Sequence, residues 1–288
     1  MSASPTNKRT AGAKAPQRAN HNNTRGGLQH APISTTVAKA IGILDILASK
    51  ADVGINLAEL SSLIDMPKSS THRYLATLQE LGLAEHNNGG RFYLGTKVIE
   101  LAGSFLVNSD LRNESQAVLN ELAEKTGETI HLAVPSGTEV VYIAKVESTH
   151  ALGMFSHIGA RLPMYCTALG KAILAFSNEK QLHAILAEPL IPRTRNSITS
   201  AKALEEELVR IRLQGYAIDN EENEIGIRCV GAPIFDYTTT PIAAISISAP
   251  RERMDKERLT LLGLLVREAV QMVSRRKGFT GLLPSAPD

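Results

Sequence analysis

Cysteine is scarce. The 288 residues hold two, Cys166 and Cys229, which cannot build a disulfide framework. Neither a CxxC nor an HExxH spacing occurs, so no metal site is expected and no cofactor is called for. No stretch approaches the roughly 20 uninterrupted apolar residues of a membrane-spanning helix. The N-terminus also lacks the apolar centre of a secretory signal. These absences point to a soluble cytoplasmic protein with no membrane partner. No internal repeat is present. What is there, 43% hydrophobic residues over a length that suits two modest domains, is ample for globular cores.

Acids are missing from one region. Residues 1–33 carry Lys8, Arg9, Lys14, Arg18 and Arg25 and no acid, a charge of +5 where the whole chain has +2, which leaves −3 for the rest. This leader is too poor in large apolar side chains to offset its ordering entropy and is read as a disordered basic tail. Two roles are open for it: contact with a polyanion such as DNA, or simple solubilisation.

From Ser34 the pattern changes. Val37, Ile41, Leu44 and Ala48 recur as one apolar stripe of a helix of about four turns. Asn56 suits the N-cap of a second helix with Leu57, Leu60 and Ile64 inward. After the Asp65-Met66 turn, Pro67 starts a third helix that runs to about Leu81, and Gly82 supplies its left-handed stop. Strands over 83–86 and 91–94 flank Asn87-Asn88-Gly89-Gly90, a strong hairpin turn. Three helices and a hairpin over 34–95 make a winged helix-turn-helix. A linker helix lies within 96–111. Residues 112–280 then alternate. Helices are expected over 114–125, 167–176, 202–213 and 255–276, and strands near 129–134, 140–146, 152–155, 216–219, 227–235 and 242–248. This is an α+β domain on a largely antiparallel sheet. Residues 281–288 form a short C-terminal tail.

On the third helix, Thr71, Leu75 and Leu78 share one face, while Ser69, Arg73, Ala76 and Thr77 share the other, flanked by Ser70 and His72. Small residues allow close approach to a groove, and Arg73 can fork onto guanine or a phosphate. Ser69, Ser70 and the first amides can hold phosphate oxygens, with Lys68 adding charge. No acid lies between Met66 and Gln79, although 34–95 as a whole holds five basic and six acidic residues. The helix alone could equally be an amphipathic helix with a polar outer face. The preceding helix, the short turn and the NNGG wing favour DNA. Arg91, at the wing base, is either a phosphate contact or an ordinary strand arginine.

The stretch NLAELSSLIDMPKSSTHRYLATLQELGLAEHNNGGRFYLG resembles the winged-helix region of the isocitrate-lyase-regulator (IclR) family of bacterial transcription factors. IGARLPMYCTALGKAILA and NEENEIGIRCVGAPIFDYTTTPIAAISISAPRERM resemble that family's effector-domain blocks. The resemblance covers roughly residues 34–280, and TGETIHLAV, VVYIAK and IGARLPMYCTALGK look most like the subgroup that senses 2-keto-3-deoxygluconate. It implies double-stranded operator DNA as one partner and a small organic acid as effector. It also implies a homodimer or homotetramer, and a C-terminal domain of GAF or profilin-like fold. The function it implies is repression of a carbon-catabolic operon, with activation as the alternative.

By the same resemblance, Ala168 and Leu169 align with a ligand-facing pair at a helix start; a plain packed helix N-terminus is the other reading. Asp219 aligns with an acid that takes effector hydroxyls, or it is a turn residue. Cys229 aligns with a pocket cysteine, although a lone buried cysteine is usually a small hydrophobe. Ser246 and Ser248 alternate along AAISISA, so both face one side of a strand, where a ligand or neighbouring backbone would satisfy them. Met154 and Ile227 are apolar walls or core. TALGKA mimics a phosphate loop but fails its spacing, with Tyr165 in a glycine position and Ala172 after Lys171, so Lys171 is read as a surface or structural residue. A GAF-like enzyme using Cys166 or Cys229 as nucleophile is the competing class; neither cysteine has a sequence-adjacent base.

Overall fold

The computed structural model describes residues 34–107, 110–150 and 156–281. The basic tail, the strand expected near 152–155, Met154 and residues 282–288 lie outside the described residues. The chain divides into two compact units, with the boundary between Ile99 and Glu100.

In the N-terminal unit, Ser34 caps helix α1 (Thr35–Ser49) by accepting from the Val37 amide. Helix α2 (Leu57–Leu63) begins in a capping box: the Asn56 side chain takes the Ala58 and Glu59 amides, and Glu59 reaches back to the Asn56 amide. Helix α3 (Lys68–Glu80) ends before Gly82, whose φ of 70° supplies the left-handed turn. Strands β1 (Ala84–His86) and β2 (Phe92–Leu94) pair antiparallel, and Ile55 adds a single bridge to Phe92. Ile43, Leu47, Ile55, Leu60, Leu75 and Leu78 form the core. The stripe expected on α1 is therefore corrected. Val37, Ile41 and Ala48 are exposed, and Ile43 and Leu47 turn inward. Apolar residues occupy two faces of α1, and periodicity alone does not choose between them.

Helix α4 (Lys97–Val107) crosses the boundary, and α5 (Asp110–Thr126) is the first helix wholly within the C-terminal unit. Strands β3 (Thr129–Ser136), β4 (Glu139–Val146) and β5 (Arg161–Pro163) lead to a 3-10 turn, Met164–Cys166. Helices α6 (Ala168–Phe176), α7 (Glu179–Leu186) and α8 (Ala201–Gln214) follow. Then come β6 (Ala217–Asn220), β7 (Ile227–Phe235), β8 (Pro241–Pro250) and α9 (Lys256–Arg276). The sheet order is β5-β4-β3-β8-β7-β6, antiparallel at every pairing. One face, through Ile130, Leu132, Ile245 and Ile247, packs on Leu119 of α5 and on Leu262, Val266 and Val270 of α9. The other, through Ala133, Ala217 and Ala244, carries Leu169 and Ile173 of α6 and Leu204 and Leu208 of α8. α7 has no counterpart in the expected elements: it is eight residues long, started by the Asn178 cap.

Candidate functional site

The outer face of α3 presents Lys68, Ser69, His72, Arg73 and Thr77, all exposed, with Ser70 half-buried. Thr77 Oγ1 donates to the Arg73 carbonyl at 3.1 Å, a back-bond within the helix. Pro67 provides no side-chain cap, and the first intrahelical bond runs from the Thr71 amide to the Pro67 carbonyl. The amides of residues 68–70 are thus the unsatisfied donors of a helix N-terminus, suited to phosphate oxygens. Arg91 is placed differently. Its Nη1 donates to the Gly54 carbonyl at 3.0 Å and the Val53 carbonyl at 3.4 Å, tying the wing to the α1–α2 loop. Tyr93 joins the same carbonyl of Val53, and Asn87 donates to Tyr93 Oη. The wing is braced, and Arg91 is part of the brace.

In the C-terminal unit the register places Asp219 opposite Cys229 and Cys229 opposite Ser248, one row across three strands. One step along, Ser246 pairs with Gly231 on one side and His131 on the other. Because Gly231 has no side chain, the start of α6 settles onto β7: a Cβ there would lie 3.1 Å from the Ala168 carbonyl carbon. A cavity of about 20 Å³ opens beneath that helix start, lined by Ala168, Leu169, Asp219, Ile227, Cys229, Ser246 and Ser248. Seven of the eight residues expected at an effector site thus come together. Tyr142, Leu162, Thr167, Asn223 and Glu224 complete the lining. A tyrosine at an alternate strand position reads as ordinary core, and Asn223 and Glu224 read as loop, so the sequence carried no signal for them.

The helix start supplies donors. Thr167 Oγ1 accepts from the Gly170 amide at 3.1 Å, which leaves the Ala168 and Leu169 amides ahead of the first intrahelical bond. Acid surrounds the rest. Asp219 is buried, and Oδ1 accepts from the Glu222 and Asn223 amides at 2.7 and 3.3 Å. Burial, and then the nearby Glu222 charge, push its carboxyl up to about 7. Lys171 is fully buried, correcting the surface alternative: Nζ meets Glu222 at 2.5 Å and Glu207 at 3.4 Å. Thr194 Oγ1 donates to the Glu221 carbonyl and Ser197 Oγ to that of Glu222, pinning the β6–β7 loop from outside. Neither cysteine is primed as a nucleophile. Burial pushes the Cys166 thiol up to about 12, and burial plus the Asp219 charge raise that of Cys229, so both stay protonated.

A pH prediction follows from Asp219. Between its usual value and about 7, the folded protein holds a proton that the unfolded chain has lost, so this group removes stability as pH rises through that window. His131 has the opposite sign below its usual value, because burial holds it neutral to about pH 3. Asp219→Asn keeps an acceptor for the two amides and removes the titration. The variant should gain melting temperature over the parent at pH 8 and gain much less at pH 4.5, near the bottom of the window. An equal difference at both values would show that the carboxyl does not titrate in this window.

Among the described residues no cluster of His, Cys, Asp and Glu could hold a metal ion, and no helix is long and apolar enough to cross a membrane. Two family models match: the IclR helix-turn-helix domain over residues 36–88, and the bacterial transcriptional regulator IclR C-terminal domain over residues 103–275. The HTH-type transcriptional regulator KdgR of Escherichia coli is 38% identical over 247 residues, covering 85% of this chain and 93% of that protein. XynR, a second HTH-type regulator of E. coli, is 37% identical over 251 residues, with 86% and 99% covered. The crystal structure of the Thermotoga maritima IclR superposes with a TM-score of 0.70 at 38% identity, over 85% of this chain and 99% of that one.

Proposed function

The chain belongs to the IclR family of bacterial transcriptional regulators, and on that premise we propose a cytoplasmic repressor of a carbon-catabolic operon, switched by a sugar-derived keto acid. The family and its relatives are regulators, not enzymes. In this reading α3 enters the major groove. Arg73 reads a base edge, His72 and Thr77 stand beside it, and Lys68, Ser69 and Ser70 hold backbone phosphate. Arg91 fixes the wing and can add a phosphate contact through the edge of its guanidinium that is not on the Val53 and Gly54 carbonyls. The protein works as a homodimer or homotetramer, in which two recognition helices meet half-sites one DNA turn apart. Exposed Val37 and Ile41, one helical turn apart, offer apolar surface to a second copy.

The observation that carries the effector half is the cavity. Residues from α6, β6, β7 and β8, distant in sequence, line one cavity whose wall includes the helix-start residues Ala168 and Leu169 and the carboxyl-bearing Asp219. A carboxylate suits the first and hydroxyls the second, a pairing found in 2-keto-3-deoxygluconate. Fluorescence anisotropy on DNA from the gene's own upstream region, at stated salt, tests it. Sequence-selective binding should weaken as that acid is added. Tightening would mean that the acid holds the protein on its operator instead of releasing it, and selective binding that ignores the acid would remove it as effector. Arg73→Ala should weaken operator binding by about 1–3 kcal/mol and relax selectivity at one position. Unchanged affinity would exclude Arg73 from the interface.

A further inference from the structure

Tyr142 is more than nine-tenths buried, lines the cavity, and its hydroxyl has no hydrogen-bond partner among the described residues. A phenol in such a place normally finds one. Its ring is not free to turn away. It stacks on His131, with centroids 4.5 Å apart and planes 17° apart. His131 is itself held at both nitrogens, Nε2 by Ser156 Oγ at 2.7 Å and Nδ1 by Ser248 Oγ at 3.4 Å. A second lining residue also carries an unmatched group. Asn223 lines the cavity, its amide N–H rests on Asp219, and its side-chain Oδ1 is buried without a partner. A donor and an acceptor, neither bonded to a described residue, thus belong to two residues that line one small space.

We propose that Tyr142 and Asn223 are ligand-binding residues of this cavity and set its specificity. Tyr142 donates to a carbonyl or carboxylate oxygen, and Asn223 accepts from a hydroxyl, so a hydroxylated keto acid is selected over a short keto acid that has no hydroxyl. This rests on reading the cavity as the effector site. The phenol is a donor because burial holds its proton in place. Asn223 adds to Asp219 a second oxygen able to accept from a ligand hydroxyl, and a site built to bond a hydroxyl discriminates strongly against analogues lacking it.

The test is calorimetric titration of the full-length protein with 2-keto-3-deoxygluconate and with pyruvate. Tyr142→Phe keeps the ring on His131 and removes only the hydroxyl. It should lower affinity for both acids by about tenfold. Asn223→Ala should lower affinity for the hydroxylated acid by about tenfold and leave pyruvate unchanged. Operator binding equal to that of the parent protein certifies the fold of each variant. If both variants bind the hydroxylated acid as the parent does, while Ser246→Ala with Ser248→Ala loses it, the proposal is overturned and the cavity reading stands. If the parent protein binds neither acid, the cavity reading itself fails and this specificity falls with it.

Discussion

Replacing Lys171 with methionine should destabilise the C-terminal unit by about 3–5 kcal/mol, the usual cost of removing one partner from a buried ion pair. The ammonium lies between Glu222 and Glu207 with no exposure, while Arg210 holds the far oxygen of Glu207 at 2.6 Å. Methionine fills much the same volume, so the loss is electrostatic. Glu222 is left with Oε2 already unpartnered and Oε1 on a single long bond from the Asn220 amide. Its carboxyl already sits above the ordinary range through burial and is held down chiefly by Lys171, so it would take up a proton in the variant. Adding Glu222→Gln should therefore restore most of the loss. Denaturant unfolding at pH 7.5 measures both variants. A cost under about 1 kcal/mol for the single variant would mean that water screens the pair as at a surface.

Ser246→Ala with Ser248→Ala should abolish the response to effector and leave operator affinity within twofold of the parent protein, an estimate that takes the two sites as independent. Both hydroxyls stand on β8 in the cavity wall, and Ser248 also bonds His131. Their loss exchanges two hydrogen bonds for methyl groups. At about 1–3 kcal/mol for each ligand oxygen left unpaired, affinity drops about a hundredfold or more. Anisotropy at fixed salt, with acid titrated into the protein–DNA complex, is the measurement. A double variant that still releases DNA at the parent's acid concentration would place the effector elsewhere.

The N-terminal unit was largely legible in the sequence because local chemistry specifies it. Asn56 and Glu59 form a cap within four residues, Gly82 takes a φ that other residues avoid, and Asn87 folds its own turn by accepting from the Gly89 and Arg91 amides. The bridge from Ile55 to Phe92 was not legible, since one residue pair has no periodicity. Apart from the alternation of Ser246 and Ser248, the cavity was legible only through family resemblance, because Asp219, Cys229 and Ser248 meet through strand register, and Ala168 through the seating of α6 on Gly231, rather than through spacing. Lys171 shows why burial of charge escapes sequence reading. Its enclosure depends on carboxylates 36 and 51 residues away, on α8 and on the β6–β7 loop. Tyr142 escaped for a related reason: the missing partner that marks its hydroxyl exists only once the walls are assembled.

The cavity, at about 20 Å³, has room for little more than one water molecule, whereas sites for small organic ligands usually measure about 300–1,000 Å³. Under the proposed function, most of the space a six-carbon acid occupies is made as it enters. Apparent affinity then equals the affinity of the opened form scaled by how often the molecule visits it. Side chains that never touch the acid thereby govern its dose. In that reading Thr194 and Ser197, which fasten the β6–β7 loop from outside, set the acid concentration at which the regulator responds. Two regulators with identical linings but looser or tighter fastenings would answer to different levels of the same metabolite.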